Sequence, residues 1–445
     1  MKKVLILGAG MVVRPIVTYL LDNEYHVTVA SRTKSKAEEV IRGHKNGTAV
    51  AWTVDQSKEL DIMIASHDLT VSLLPWVHHI MVARKCISHK KDMVTTSYVK
   101  PEMLALHAEA KQAGIIILNE LGLDPGIDHM SAMRIIDHVH EKGGKIEEFY
   151  STCGALPAPK SADNPFKYKF SWSPKGVIMA GNNDGKYLRH GKVAYVLTEN
   201  LFKNPISIEF PDVGQLEIYP NRDSIPYIEL YKIPETKTMM RGTFRYPGWC
   251  EAMDAMKTLK LITTDTYDFT NKTYAEMVAM LIGELNSKNI KEKTAKFLGI
   301  SPEAHAIKAM QWLGLFEHKP MKRQRDTPFE ITSDLMIEKM ELKKNEQDMV
   351  AMQHVFLTSY PGGKKEVIKS SMLDFGSLSN DTAVARTVAL PAAVGVEMIL
   401  KDEINIKGVH IPVVPEIYNP ILNKLEELDI YMVEEFDLPV DEIIQ

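Results

Sequence analysis

Apolar positions crowd into short, dense runs through the first quarter of the chain. Lys3–Leu7 (KVLIL), His26–Ala30 (HVTVA), Ala49–Val54, Leu69–Leu74 (LTVSLL), Met93–Thr96 and Ile115–Leu118 are aliphatic and β-branched almost throughout. Such runs read as strands covered on both faces. Between them the spacing turns helical, over Met11–Leu21, Lys34–Arg42 and Pro101–Ala113. Strands alternating with helices predict parallel pairing through right-handed crossovers, a doubly wound α/β (Rossmann) sheet.

The texture changes after about residue 130. Residues 146–250 carry strand-like segments, many prolines and aromatic-rich loops. Residues 273–315 are helix-patterned in three stretches, the last with Ser301 as a cap and Pro302 at its first position. Residues 348–374 predict a hairpin turning at Pro361-Gly362-Gly363, and 380–400 a long helix capped by Asn380 or Asp381. No linker or repeat separates these parts. The expected organisation is a Rossmann domain over 1–128, completed by 385–445. A mixed α/β domain is inserted over 129–384, with a helical excursion at about 270–340 whose apolar spacing suits a core or a dimer interface.

Composition narrows the function. A net charge of −5 over 445 residues does not suit nucleic-acid binding, and the basic run His318–Arg325 reads as solvated surface. Three cysteines without CxxC spacing fit neither a disulfide framework nor a zinc site, and point to the reduced cytoplasm. His78-His79 reads as a helix start without acidic partners, so no metal is expected. The apolar run of MKKVLILGAG is too short for a signal peptide. Ala383–Leu400 holds Arg386 and Glu397, which argues against a membrane span. The 24 methionines are scattered and read as core filler.

Chemistry begins at Gly8-Ala9-Gly10, which follows the first strand and opens a helix. The first glycine permits the turn. The second lets backbone approach a pyrophosphate at the helix N-terminus. Val13 stands where a third glycine is usual. An NAD site offers an acid at the end of the second strand to bind the ribose 2′-hydroxyl. Here Ser31-Arg32-Thr33 offers a guanidinium and two hydroxyls, which suit a 2′-phosphate and predict NADP(H). Leu73-Leu74-Pro75 and Thr95-Thr96-Ser97-Tyr98 end two further strands, at the edge where such sheets bind ligands.

Five segments carry a resemblance: TTSYV at 95–99, NELGLDPGIDHM at 119–130, STCGALPAPKSADNPFKYKFSWSPKGV at 151–177, YPNRDSIPY at 219–227 and RGTFRYPGW at 241–249. Together they resemble the saccharopine reductases, the glutamate-forming saccharopine dehydrogenases, over nearly the whole chain. The resemblance implies NADP(H)-dependent interconversion of saccharopine with L-glutamate and 2-aminoadipate 6-semialdehyde, by a homodimer. The chain shows no lysine–ketoglutarate reductase segment, so it is expected to act as a separate polypeptide. Saccharopine has three carboxylates, which call for guanidinium forks, and Arg222 and Arg245 sit in suitable loops. Thr243, Phe244, Ser97 and Tyr98 join them by resemblance. Tyr98, Asp124 and Cys153 are the acid/base candidates.

Cofactor contacts are expected at Gly8, Ala9, Gly10, Met11, Val12, Ser31, Arg32, Thr33, Asp55, Leu74, Thr96, Ser97 and Leu123. Asn119 and Glu120 are expected beside Leu123 on the nicotinamide side, with Gly122, Pro125 and Gly126 shaping the turn. Two other functions fit the nucleotide half. One is a related imine reductase of the carboxynorspermidine type, which binds an amine in place of a third carboxylate. The other is a non-catalytic dinucleotide sensor.

Overall fold

The computed structural model describes residues 1–378 and 381–444. The chain divides into two compact units, Met1–Gly144 with Ser370–Glu434, and Lys145–Lys369 with Glu435–Gln445.

The first unit is built on a seven-stranded parallel sheet. Its strands are β1 (Lys3–Leu7), β2 (His26–Ser31), β3 (Gly47–Ala51), β4 (Leu69–Ser72), β5 (Asp92–Val94), β6 (Ile116–Leu118) and, from the far end of the sequence, β17 (Gly408–His410). Their order is β17-β6-β5-β4-β1-β2-β3. The sheet is thus wound outward both ways from β1, which pairs in parallel with β2 and β4. That reversal opens a crevice at the carboxyl end of β1. Leu5, Leu7, Trp52, Ile64, Val82 and Met93 belong to one dry cluster against the sheet. The helix Ala383–Leu400 packs against the helix Arg14–Asp22. It is long and apolar, but it is a buried core helix, including Glu397.

A nine-stranded mixed sheet is built mainly from residues of the second unit. Its members are β7 (Lys145–Pro157), β8 (Gly185–Arg189), β9 (Lys192–Val196), β10 (Ile206–Phe210), β11 (Gly214–Pro220), β12 (Thr238–Arg245), β15 (Asp348–Ser359), β16 (Lys365–Phe375) and β18 (Val433–Leu438). The main path is β10-β11-β12-β7-β15-β16-β18, with β8 pairing β12 and β9. A short pair, β13 (Tyr267–Asp268) with β14 (Arg325–Asp326), lies among the helices Tyr274–Leu281, Ile290–Leu298, His305–Leu313 and Pro328–Lys339. The hairpin turn falls where Pro361-Gly362-Gly363 predicts it. Gly362 and Gly363 take φ of 90° and 86°, conformations glycine adopts without strain.

Several expectations need correction. The eleven residues 435–445 lie in the second unit rather than completing the first, and the breaks fall at 144 and 370 instead of 128 and 385. Pro101–Ala113 forms two helices, Pro101–Leu104 and His107–Ala113. The helix expected from Ser301 starts at His305, after Ala304, while the Ser301 hydroxyl turns to the Glu303 N–H. Thr382 caps the long helix through the Ala385 N–H. Asp381 instead pairs with Arg14 at 2.5 Å, and Asn380 lies outside the described residues.

Candidate functional site

The nucleotide cleft opens where β1 ends. Gly8 has φ of +114°, and a Cβ there would stand 2.9 Å from the Leu73 carbonyl oxygen. Its N–H donates to the Ala30 carbonyl, so the turn is pinned to β2. A Cβ at Gly10 would meet nothing within 4 Å. The chain itself has no need of a bare α-carbon there, and a pyrophosphate does. The cleft, of about 370 Å³, is lined by Gly8, Ala9 and Gly10, by Ser31, Arg32 and Thr33 at the end of β2, and by Leu73, Leu74 and Pro75 after β4. Sequence reasoning missed Lys36, Trp52 and His78, which line it too. Lys36, in the first turn of the helix Lys34–Ile41, offers a second cation for a 2′-phosphate, and among the described residues no acidic side chain lines the cleft. These residues fit NADP(H).

Other expected contacts lie outside this cleft. Met11 and Val12 follow Gly10, and Met11 is 62% exposed. Asp55 is one residue past Val54, its carboxyl held low by the Thr53 hydroxyl. Thr96 and Ser97 follow β5, and Leu123 lies in the loop after β6.

That loop is Asn119–Gly126. Gly126 takes φ of +146°, and a Cβ on it would overlap Gly122 backbone, 2.0 Å from its oxygen. Asp128 accepts from the Gly126 N–H at 2.6 Å at the start of the helix Ile127–Glu141. The loop turns Asp124 toward Tyr98, whose hydroxyl donates to Asp124 Oδ1 at 2.6 Å. Both side chains are half-buried. Two of the acid/base candidates are therefore already hydrogen-bonded to each other.

Glu120, expected on the nicotinamide side, has its carboxylate engaged within the chain. It is buried, with Oε1 accepting the Val99 N–H at 2.7 Å and Oε2 lying 2.7 Å from His129 Nε2. Asn119, also buried, donates to the Ile117 carbonyl. His79 is more than the plain helix start that its sequence context predicts. It is buried between hydroxyls, with Nδ1 2.8 Å from Ser72 Oγ and Nε2 2.9 Å from Ser97 Oγ. Burial, with His78 alongside, pushes its pKa down to about 4, so the ring is neutral.

In the second unit, strand register sorts the remaining candidates. Thr243 lies directly beside Cys153 in the parallel pair β12–β7. With Arg245 two residues on, all three side chains share one face of the sheet. Cys153 is half-buried and forms no disulfide among the described residues. Phe244 points to the other face, fully buried against Phe210 with ring centroids 5.6 Å apart. Any part it takes in binding is through its backbone. Arg222 is exposed at the loop after β11, with φ of 56°.

Arg245 is the unusual group. It is only 4% exposed, in a cage of Tyr168, Trp249 and Tyr219 rings at 5.0, 5.3 and 5.7 Å. Nη1 donates to the Phe244 carbonyl, and Nε is buried with no partner. Among the described residues no carboxylate pairs with it. Its cross-strand neighbour Glu217 has its carboxyl pKa raised by burial. Aromatic faces favour the cation, but a buried guanidinium without an anion is costly. A carboxylate beside the guanidinium would offset that cost. The Tyr168 and Trp249 walls were not singled out from the sequence, although both lie within the quoted motifs.

Comparisons with known proteins agree over the same span. Residues 4–118 match the family model of the saccharopine dehydrogenase NADP binding domain, and residues 122–430 that of the saccharopine dehydrogenase C-terminal domain. The chain is 36% identical over 436 residues to a saccharopine dehydrogenase (NADP(+), L-glutamate-forming) of Pyricularia oryzae, covering 96% of this chain and 97% of that one. It is 37% identical over 434 residues to the mitochondrial alpha-aminoadipic semialdehyde synthase of Bos taurus, covering 96% of this chain but only 47% of that longer protein. The solved apo saccharopine dehydrogenase (L-Glu forming) of Saccharomyces cerevisiae superposes with a TM-score of 0.92 at 34% identity, covering 98% of this chain and 100% of that one. On two family models and near-complete coverage of the fungal enzymes, the chain belongs to the saccharopine dehydrogenase family.

Proposed function

We propose that the chain interconverts saccharopine with L-glutamate and 2-aminoadipate 6-semialdehyde, using NADP(H). The carrying observation is Arg245, a buried guanidinium with an unpartnered Nε and no carboxylate of its own. Bound NADP+ supplies the acceptor for a hydride leaving the carbon that becomes the aldehyde. The resulting imine adds water and the C–N bond breaks, releasing glutamate as the amine. Asp124 holds the charge of the substrate nitrogen, and Tyr98, bonded to it, moves a proton to or from that nitrogen or the adding water. Cys153 and Thr243 lie on the same sheet face as Arg245. Arg222, being exposed, can close on a second carboxylate.

Saccharopine-dependent reduction of NADP+ tests the reading. Arg245→Ala is expected to raise KM for saccharopine by about 10²-fold, as loss of a buried charge pair does. Arg222→Ala is expected to have a smaller effect of the same sign. Unchanged KM in both variants would sink the substrate assignment and favour an amine-binding relative. The reading also carries a cytoplasmic homodimer. Strand β18 ends its sheet, and the exposed Tyr431 and Val433 lie at its start, suited to packing by a second copy. Light scattering on the eluting protein gives the assembly mass, and a monomer at working concentration would refute the dimer.

A further inference from the structure

Glu120 has no task in the reaction as written, yet it is buried and bonded on every side. We propose that it is a positioning residue for Tyr98, clamping the backbone on both sides of that tyrosine and so setting where its hydroxyl is held. The inference rests on the reading that Tyr98 serves the substrate.

The geometry is specific. The Glu120 N–H donates to the Ser97 carbonyl at 3.2 Å, on one side of Tyr98. Its side-chain Oε1 accepts the Val99 N–H at 2.7 Å, on the other side. One residue thus satisfies the peptide groups flanking the tyrosine, beyond the last residue of β5, where no ladder holds them. The second carboxylate oxygen is braced by His129, a fully buried side chain in the first turn of the helix Ile127–Glu141. That contact ties the clamp to a long helix rather than to another loop.

The phenol is fixed independently at its far end, where Tyr98 donates to Asp124 at 2.6 Å. Asp124 is four residues past Glu120 in the same loop. The loop therefore grips Tyr98 at backbone and hydroxyl together, in one hydrogen-bonded frame. Glu120 also adopts φ of +57°, a left-handed conformation that glycine or asparagine takes more readily. A strained position that keeps a long charged side chain keeps it for its bonds. Removing the carboxylate takes one partner from the Val99 N–H and one from the His129 ring, while leaving the nucleotide cleft at Gly8–Gly10 untouched.

The test is a double-substitution cycle on the full chain, with kcat for saccharopine oxidation measured for Y98F, E120A and the pair, and NADPH affinity measured by titration. E120A is expected to lower kcat by about 10²-fold, the cost of an ångström-scale misplacement, with the Kd for NADPH changed by less than about twofold. In the Y98F background the same change should cost less than about threefold, because the two residues act as a unit. E120Q, whose amide oxygen still accepts the Val99 N–H, should recover most of the activity. An unchanged kcat in E120A, or an equal loss with and without the Tyr98 hydroxyl, overturns the inference. A Y98F enzyme of undiminished kcat defeats the reading of Tyr98 itself and takes the inference with it. Where E120A does not fold, E120D, too short to span Val99 and His129, enters the cycle and the same two outcomes decide.

Discussion

Arg32 and Arg245 differ first in burial, the one exposed and the other enclosed. Arg32 is exposed at the rim of the nucleotide cleft, which Lys36 also lines. Its contribution is a charge-assisted contact in partial solvent, so Arg32→Ala should raise KM for NADPH by about tenfold while barely changing that for NADH. Steady-state kinetics with both cofactors measures this, and equal use of NADH by the unaltered enzyme would contradict it. Arg32 is legible in the sequence because the informative fact is local: no acid stands at the end of β2. His79 is not legible in the same way. Its environment depends on Ser72 and Ser97, from two different strand ends, converging on one ring. An ordinary histidine takes its proton near pH 6.5, whereas His79 holds out to about 4. Between these values the unfolded chain binds a proton that the folded chain does not. Stability from this site is therefore whole above pH 6.5 and is lost as pH falls toward 4. Near pH 5 the loss should reach about 2 kcal/mol. Urea midpoints at neutral pH and near pH 5 should differ less in His79→Asn than in the parent. An identical pH dependence in the two proteins would remove His79 as a cause.

Among elements, the Asn119–Gly126 loop has the least tolerance. Gly126 combines positive φ with a virtual Cβ 2.0 Å from a backbone oxygen, so no side-chain rotation relieves a substitution. Gly126→Ala should destabilise the fold by about 3 kcal/mol or more, from strain and overlap together. Chemical denaturation would show it, and a change below about 0.5 kcal/mol would mean the loop is softer than its contacts imply. The glycines and proline here mark a shaped turn in the sequence itself, and Asp124 as its one outward carboxylate can be guessed. Glu120 and His129 cannot be told from solvent-facing or catalytic groups, because the Val99 N–H that Glu120 accepts is twenty-one residues away and His129 meets Glu120 only across the turn of the loop. Helix ends were legible only in part, for a similar reason. Asp381 has the right side chain for a cap, but Arg14 claims it, and Thr382 caps in its place.

At the scale of the molecule, the alternation of apolar strands and helices reveals the α/β half, since parallel strands are dry on both faces and leave a dense signal. The change of texture after residue 130 reveals an insertion. The fate of the last eleven residues is hidden. Strand β18 reads VEEFDL, with charge at half its positions, and its place is set by β16, some sixty residues earlier. Edge strands carry little hydrophobic pattern, so pairing rather than periodicity decides where they go.

The late arrival of β17 and the helix Ala383–Leu400 has a consequence for biosynthesis. Both belong to the unit that begins at Met1, yet residues 145–369 are translated before either. At ordinary ribosomal rates that interval lasts on the order of ten to forty seconds. Throughout it the nascent nucleotide half has β6 as an open sheet edge and the apolar face of Arg14–Asp22 uncovered, which makes this the interval of greatest exposure to mispairing and aggregation.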